Sequence, residues 1–188
     1  KESELGNALS PYAVTKMNNE HYAKVYAKLY NMKIVALRYF NVFGSNQDQN
    51  SIYSAVIPKW ISALINNKKI FINGDGKTSR DFCFIDNVVQ ANILAAISKK
   101  EISINQTYNV ALGERITLTN LYNEIKKQLE KYNYDFKNSK LIYRDFRPGD
   151  VRHSLADIKK SIKLLGYSPT HKLSEGLKKT IKWYNDIN

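Results

Sequence analysis

The sequence predicts an α/β fold with some parallel strand pairing. Short apolar runs rich in β-branched and aromatic residues alternate along its 188 residues with longer stretches of helical periodicity, which is typical of α/β proteins. No internal repeat, low-complexity segment or Pro/Gly-rich linker interrupts this alternation. The apolar fraction of 43% is ordinary for a globular protein. We therefore expect one folded unit with a sizeable core and an incomplete sheet.

Helices are predicted from their capping residues and from apolar residues at helical spacing. Ser10 is a good N-cap and Pro11 is favoured directly after it, so the first helix should begin there and run to about residue 30. Asp86 and Thr119 are expected to cap two later helices, and Gly166 to end another. The remaining helices are predicted at 54–66, with Pro58 in the first turn, and at 88–98, 119–132, 156–165 and 174–185.

Strands are predicted where short apolar runs lie between turn residues. Polar, turn-rich residues predict a loop over 44–51, and Gly74-Asp75-Gly76 predicts a turn. The predicted strands are 34–39, 70–73, 82–85, 107–111 and 141–143.

The charge of the chain is strongly basic but does not indicate a nucleic-acid partner. The net charge is +12, carried by 23 lysines and 6 arginines. The lysines are scattered over what look like solvent faces of helices, without a basic stripe or a recognition motif. The arginines cluster more, at Arg80 and from Arg144 to Arg152, and a guanidinium fork suits phosphate. We therefore expect a phosphorylated small molecule rather than a nucleic acid.

The chain carries no sign of a membrane span, a metal site or a disulfide. No run of about 18 apolar residues occurs, and His21, His153 and His171 lack metal-ligand spacing. The single cysteine, Cys83, lies in an apolar run and is expected to be a buried, inert thiol in a reducing compartment. Cytoplasmic localisation is therefore expected. Because the chain begins at Lys1 without a signal peptide and in mid-pattern, we also expect it to be part of a longer protein.

The first chemical signal is Tyr12-x-x-x-Lys16. Residues four apart lie on one face of a helix, one turn from each other. An ammonium group held near a phenol favours the phenolate, and a phenolate can act as general base on a sugar hydroxyl. The pattern is short, and an ordinary helix can contain it by chance.

Three further motifs follow in order. Arg38-Tyr39-Phe40-Asn41-Val42-Phe43-Gly44 lies at the end of a predicted strand, where ligands of open α/β sheets bind. The segment 73–86 reads Asn-Gly-Asp-Gly-Lys-Thr-Ser-Arg-Asp-Phe-Cys-Phe-Ile-Asp, and the segment 144–154 reads Arg-Asp-Phe-Arg-Pro-Gly-Asp-Val-Arg-His-Ser. A plain turn and a surface ion-pair cluster are the simpler interpretations of the last two.

Together these motifs resemble the extended short-chain dehydrogenase/reductases of the NAD-dependent epimerase/dehydratase family. Similarity extends over the whole chain and is strongest to the C-terminal part of bacterial UDP-N-acetylhexosamine 4-epimerases. The resemblance implies an incomplete Rossmann-like doubly wound sheet in residues 1–50 and a smaller α/β substrate-binding domain in 51–188. It also implies NAD as cofactor, a UDP-sugar as substrate, no metal, and a homodimer formed through helices near 17–29 and 52–65.

The resemblance also implies roles for individual residues. Tyr12 would be the acid/base, and Lys16 would bind the nicotinamide ribose and favour the phenolate of Tyr12. Tyr39 and Val42 would line the nicotinamide. The implied substrate contacts are Asn41, Ala55, Val56 and Trp60 to the sugar nucleotide, Phe71 and Asn73 to uracil and ribose, Arg80 and Arg147 to the diphosphate, and Asp150 to the ribose hydroxyls.

Two features of the family are absent from these 188 residues. None of the eight glycines is three residues from another, so the glycine-rich NAD-binding loop is missing. The catalytic Ser/Thr would lie upstream of Lys1. We therefore expect the chain alone to be inactive and its parent protein to carry both features.

The implied reaction is C4 epimerisation of UDP-N-acetylglucosamine, or of UDP-glucose, through a 4-keto sugar. Two alternatives remain at this point. A nucleotide-sugar dehydratase or decarboxylase would share the fold, and a catalytically inert nucleotide-binding or basic interaction module would share the composition. The expected pathway is the synthesis of polysaccharide or lipopolysaccharide precursors.

Overall fold

The computed structural model describes residues 1–48 and 56–187, in which helices and strands alternate as predicted. The helices are α1 (Pro11–Leu29), α2 (Val56–Ile65), α3 (Ile85–Ile97), α4 (Leu118–Leu129), α5 (Lys159–Leu165) and α6 (Leu173–Asp186). The strands are β1 (Val35–Tyr39), β2 (Val42–Phe43), β3 (Ile70–Asn73), β4 (Ser79–Arg80), β5 (Cys83–Phe84), β6 (Gln106–Val110), β7 (Ile116–Thr117) and β8 (Leu141–Arg144). Short 3-10 segments follow α3 and α4, at Glu101–Ser103 and Glu130–Tyr132.

Strand pairing in the described residues joins elements that are distant in the sequence. β1 pairs with β6, β2 with β5 and β3 with β8, all in parallel, whereas β4 and β7 are antiparallel. In the first pair Tyr39 lies beside Val110, and in the third Asn73 lies beside Arg144. Parallel strands end at the same edge, so the loops after β1 and β3 lie next to those after their partners. These edges are where the sequence predicts ligand binding.

Two hydrophobic clusters hold these elements together. The larger is formed by α2, α4 and α6 packed against β3 and β5, with Ile61, Leu121 and Leu177 fully buried. The smaller cluster contains Cys83 and Tyr167, and residues of β1 and α3 also contribute to it. The division at residue 50 stays a prediction. Contacts cross it, because β1 pairs with β6 and Phe43 belongs to the larger cluster.

Helix α1 differs from the others because none of its residues is buried. Ser10 caps it as predicted, its side chain accepting a hydrogen bond from the Ala13 N–H, and Pro11 opens the first turn. The apolar side chains of its outer face remain accessible, and Tyr22 and Leu29 are 65% and 67% exposed. α1 is therefore attached to the rest of the chain by polar contacts rather than by a buried face.

Three predicted helix starts were wrong. Thr117, not Thr119, caps α4 and accepts from the Asn120 N–H, because the Thr119 hydroxyl bonds to the Gly76 carbonyl instead. Asp86 lies inside the first turn of α3, whose N-cap is Phe84. α5 begins at Lys159, three residues later than predicted. Gly166 does end that helix, with a left-handed φ of 75°. None of the described helices is both long and apolar enough to cross a membrane.

Candidate active site

Tyr12 and Lys16 lie one turn apart on α1, at the mouth of a cleft. The Lys16 Nζ is 5.1 Å from the centroid of the Tyr12 ring, and Tyr12 is 66% exposed. Both line a cleft of about 440 Å³ between α1 and β1 that also includes Tyr39. The Tyr39 hydroxyl donates to Asn92 Oδ1 on α3 at 2.9 Å. The structure thus brings together three of the four residues predicted to contact the cofactor.

Val42, the fourth, does not line this cleft. It lies on β2, pairs with Cys83 and packs against the smaller hydrophobic cluster. Two residues, Phe40 and Asn41, separate β2 from β1, and Asn41 has a positive φ of 34°. The contact of Val42 with the nicotinamide stays a prediction.

An ion pair attaches α1 to β1 beside the Tyr12–Lys16 pair. Glu20, one turn after Lys16, accepts two hydrogen bonds from the Arg38 guanidinium, at 2.6 and 2.8 Å. Arg38 also donates to the Glu2 carbonyl at 3.1 Å. The bond from Arg38 lowers the pKa of Glu20, and the bond to Glu20 raises the pKa of Arg38. Arg38 opens one of the sequence motifs, but no pattern in the sequence predicts its pairing with Glu20.

A second cleft, of about 330 Å³, includes Asn41, two residues after the end of β1. It is lined by residues from β3, β4, α2 and the segment after β8. Eight of the nine predicted substrate contacts line it, namely Asn41, Val56, Trp60, Phe71, Asn73, Arg80, Arg147 and Asp150. The ninth, Ala55, lies outside the described residues. The sequence did not single out Ile72, Thr78, Phe82 and Leu118, which complete the lining.

Arg80 presents a half-buried cation to this cleft. Its Nη1 donates to the carbonyls of Ser79 and Arg152, at 2.9 and 3.4 Å. Among the described residues, no carboxylate lies within 4 Å of it. Burial lowers the pKa of Arg80, while the charge of Asp150 acts in the opposite direction. A desolvated guanidinium bonded only to carbonyls is suited to an added anion such as phosphate.

Arg147 and Asp150 occupy the two ends of one β-turn. The Asp150 N–H donates to the Arg147 carbonyl at 3.2 Å, and Gly149 has a φ of 79°. Proline at the second position and a positive-φ glycine at the third define a type II turn. This turn places a cation and an anion at the same rim of the cleft, where they can bind a phosphate and a hydroxyl.

Phe71 lies at the rim of the same cleft. The ring is 40% exposed, and the Arg144 guanidinium stacks on it with 3.5 Å between Cζ and the ring centroid. Asn73 ends the same strand, opposite Arg144 in the parallel pair. An accessible ring beside an amide can stack on a planar base and bond to its edge.

Asp81 is a buried carboxylate in the segment 73–86, and the sequence predicts no role for it. It is fully buried and accepts hydrogen bonds from the backbone N–H groups of Leu112, Gly113 and Ala156. Burial raises the pKa of Asp81 to about 6, against the effect of these bonds. Its own carbonyl accepts from the Asn41 side chain at 2.8 Å. Asp81 therefore joins the loop after β6, the chain after β8 and Asn41.

Cys83 is a buried thiol, as predicted, and burial raises its pKa to about 11. His153 bonds to Ser79 and His171 lies against Asp86 and Thr170. Within residues 1–48 and 56–187, no three His, Cys, Asp or Glu side chains are close enough to hold a metal ion.

The profile of the NAD dependent epimerase/dehydratase family matches residues 1–111. The chain belongs to this family, so the predicted family, its Rossmann-like α/β fold and NAD as its cofactor are confirmed.

Individual relatives are UDP-sugar 4-epimerases. A UDP-N-acetylglucosamine 4-epimerase from Methanobrevibacter ruminantium M1, solved with UDP-N-acetylmuramic acid, is 43% identical, with a TM-score of 0.89 over 100% of this chain and 57% of that one. A UDP-glucuronic acid 4-epimerase from Bacillus cereus, solved with UDP-glucuronic acid and NAD, is 32% identical, with a TM-score of 0.85 over 100% of this chain and 56% of that one. A UDP-glucuronate 4-epimerase from Thermodesulfobacterium geofontis is 34% identical over 97% of this chain and 53% of its own length. The chain therefore spans about half the length of the relatives it matches.

Proposed function

We propose that this chain forms the acid/base and nucleotide-sugar part of an NAD-dependent UDP-N-acetylhexosamine 4-epimerase. One observation carries the proposal. Tyr39 lines the cleft that contains Tyr12 and Lys16, and Asn41, two residues later, lines the cleft that contains Arg80 and Arg147. Each cleft thus includes a residue at or just after the carboxyl end of β1. A molecule held by its diphosphate in one cleft can present its sugar to the base in the other.

Separate groups of residues bind the separate parts of the substrate. Arg80 and Arg147 hold the diphosphate, Phe71 and Asn73 the uracil and its ribose, and Asp150 the ribose hydroxyls. Asn41, Ala55, Val56 and Trp60 surround the sugar, with the placement of Ala55 carried over from the family alone. The small aliphatic side chains at 55 and 56 leave room for an N-acetyl group.

Tyr12 and Lys16 carry the proton transfer. The phenolate of Tyr12 takes the proton of the C4 hydroxyl and returns it after the keto sugar has turned over, with the Lys16 ammonium 5.1 Å from the centre of the ring. NAD, when bound, supplies the hydride acceptor and donor for C4, so the reaction has no net redox change. The Tyr12, Lys16 and Tyr39 side chains fit the nicotinamide riboside end of NAD, because a hydroxyl and an ammonium converge on one cleft. The pyrophosphate end needs a glycine-rich loop that these 188 residues do not contain, and we propose that the chain alone is inactive.

The choice of substrate is supported by the relative of highest identity reported above, a UDP-N-acetylglucosamine 4-epimerase. UDP-glucose is the second sugar that we expect the site to accept. The family also includes dehydratases, which would release water from the same substrate class. The product therefore decides between these reactions.

We further propose a cytoplasmic homodimer in the synthesis of polysaccharide or lipopolysaccharide precursors. The exposed apolar face of α1, with Val25 and Leu29 at 50% and 67% exposure, supports α1 as one half of the dimer interface. Helix α2 supports it less, because Ile57, Trp60, Ile61 and Leu64 are buried in the core.

The proposed function is tested by NMR of the anomeric protons of UDP-N-acetylglucosamine incubated with the parent protein. We expect the galacto epimer without added reductant. A 4-keto-6-deoxy sugar would instead identify a dehydratase, and loss of a carboxylate from a UDP-uronic acid a decarboxylase.

The nucleotide site is tested separately by calorimetric titration of the 188-residue chain with UDP. Arg80→Ala and Arg147→Ala should each weaken UDP binding about tenfold or more, because each removes a charge-assisted bond to phosphate. Arg115→Ala is the matched control, since Arg115 is exposed and lines neither cleft. UDP binding that is equal in all four proteins would refute the assignment of the diphosphate site.

A further inference from the structure

The segment 144–154, which begins with the last residue of β8, carries Arg147 and Asp150 at the nucleotide cleft, and we call it the arginine strap. It lacks a hydrophobic anchor of its own. Phe146 and Val151 are 57% and 50% exposed, and no residue of the strap is buried. Polar contacts must therefore hold the strap in place over the cleft.

These contacts lie at the two ends of the strap. At its start, the Gly74 N–H donates to the Arg144 carbonyl at 2.8 Å. Near its end, the Arg152 guanidinium bonds to Asp75 Oδ2 at 2.6 Å, but each side chain of this pair is 40% exposed. Exposed ion pairs are screened by solvent and contribute little. The strap thus needs a second attachment at this end.

Ser79 provides that attachment from inside the protein. It is 3% exposed and forms an isolated parallel bridge with His153. The Ser79 N–H donates to the Arg152 carbonyl at 3.1 Å, and the Ser154 N–H donates to the Ser79 carbonyl at 3.0 Å. The side chains add a third bond, 2.9 Å between Ser79 Oγ and His153 Nδ1. Among the described residues, this is the one side-chain bond between the strap and a buried group.

The same group of contacts fixes Arg80. Its guanidinium donates to the carbonyls of Ser79 and Arg152, one on each side of the bridge. The bridge therefore determines how far Arg80, on β4, lies from Arg147, on the turn of the strap. Both arginines are needed on one diphosphate in the proposed function.

We infer that His153 is a positioning residue, whose bond to the Ser79 hydroxyl holds the arginine strap on β4 and thereby sets Arg147 opposite Arg80 for the diphosphate of the nucleotide sugar. This inference rests on the proposed function. It assigns His153 no contact with the substrate and no part in the proton transfer.

The test uses the two amides that resemble histidine. In His153→Asn the amide lies near the position of Nδ1, whereas in His153→Gln it lies near that of Nε2, so only the asparagine can keep the bond to Ser79. Calorimetric titration of the 188-residue chain with UDP should show binding about tenfold weaker for His153→Gln and Ser79→Ala. His153→Asn and the control His21→Gln, an exposed histidine on α1, should stay within about threefold of the wild type.

The double variant Ser79→Ala, His153→Gln adds a thermodynamic cycle. It should bind UDP no more weakly than either single variant, because both changes remove the same bond. Independent losses that multiply in the double variant would overturn the inference, as would wild-type affinity in His153→Gln.

Hydrogen exchange of the Ser79 and Ser154 amides gives a readout that does not need UDP. It should be faster in His153→Gln and unchanged in His153→Asn, because these amides form the bridge that the side-chain bond supports. Unchanged exchange in His153→Gln would overturn the inference. If the wild type fails to bind UDP, the proposed nucleotide site fails, and the exchange rates alone then decide whether His153 holds the strap.

Discussion

The α1–β1 region and the region around the nucleotide cleft are held together by different forces. α1 buries none of its residues and is joined to β1 by the Arg38–Glu20 pair. The nucleotide cleft is built on the larger hydrophobic cluster, in which Ile61, Leu121 and Leu177 are fully buried. The proposed base thus lies on the loosely attached part, and the proposed substrate site on the packed part.

A carboxylate in each region shows the same contrast. Glu20 has a lowered pKa because Arg38 donates to it, whereas burial raises the pKa of Asp81 to about 6. Ionisation of Glu20 therefore stabilises the first region, whereas ionisation of Asp81 destabilises the second. We expect that function and stability can be changed separately in this protein, and four experiments test this expectation.

The largest effect is expected from Tyr12→Phe. Loss of a general base should lower kcat of the parent protein by about 10²- to 10⁴-fold. Because Tyr12 is 66% exposed, the free energy of unfolding should change by less than about 0.5 kcal/mol. Turnover by NMR and chemical denaturation measure the two quantities.

Tyr22→Phe is the control for Tyr12→Phe, since Tyr22 lies on the same helix and is 65% exposed. Its turnover should equal that of the wild type. Equal activity of both variants would remove Tyr12 from the mechanism.

Leu121→Ala should have the next largest effect and act on stability. Leu121 is fully buried, and truncation of a buried leucine costs about 3 kcal/mol. Leu29→Ala is the matched substitution on α1, where Leu29 is 67% exposed, and should cost less than about 0.5 kcal/mol. Urea unfolding of the 188-residue chain compares them. A comparable loss at Leu29 would break the contrast, because it would mean that α1 packs on a second copy.

Asp81→Asn should change the pH dependence of stability. The pKa of Asp81 is raised from 3.8 to about 6 in the folded state, so the folded state binds more protons between these values. Its contribution is therefore fully present below about pH 4 and is lost as the pH rises towards 6, by on the order of 2 to 3 kcal/mol.

The variant at position 81 lacks this titration. The difference in unfolding free energy between wild type and Asp81→Asn should therefore shift by that amount from pH 4 to 6.5, whatever the cost of the amide itself. A difference that is constant over this range would show that Asp81 does not titrate there.

Glu20→Gln should have the smallest effect, of about 1 kcal/mol at neutral pH, because the Arg38–Glu20 pair is only partly buried. The sign is opposite to that of Asp81. The pKa of Glu20 is lowered from 4.5, so its contribution is present above that value and is lost as the pH falls below it. Thermal unfolding should show the variant less stable than the wild type at pH 7, by a difference that becomes smaller as the pH is lowered to 3. A difference of the same size at both pH values would mean that packing rather than charge is responsible.

The sequence predicts the long elements well because they carry periodic patterns and caps. The start of α1 follows from Ser10 and Pro11, and β3 was predicted at its observed bounds, Ile70–Asn73. Of the two-residue strands, β5 was predicted, as 82–85, because a longer apolar run contains it, whereas β2, β4 and β7 were missed, because two residues alone have no periodicity. The N-cap of α4 was misassigned because Thr117 and Thr119 are equally good capping residues. Only the tertiary hydrogen bond from the Thr119 hydroxyl to the Gly76 carbonyl distinguishes Thr119 from the actual cap, Thr117.

The site follows the same rule. Tyr39 and Asn41 belong to a motif at the end of a predicted strand, where the topology of α/β sheets places ligands, and the family resemblance supplied their predicted roles. Asp81 could not be assigned, because its partners are the backbone N–H groups of residues 31 to 75 positions away. Sequence spacing likewise does not reveal that Val42 packs against the smaller hydrophobic cluster, whose members Val110 and Tyr167 are distant in the chain.

The distant strand pairs also determine what the chain is like while it is being made. Val35 of β1 pairs with Gln106, and Ile70 of β3 with Leu141, so 71 residues separate each strand from its partner. At ribosomal rates of about 5 to 20 residues per second, the partner strand is synthesised roughly 4 to 14 seconds later. During part of this time β1 and β3 both present unpaired N–H and C=O groups. A newly synthesised chain is then open to pairing with another nascent copy until its own later strands emerge.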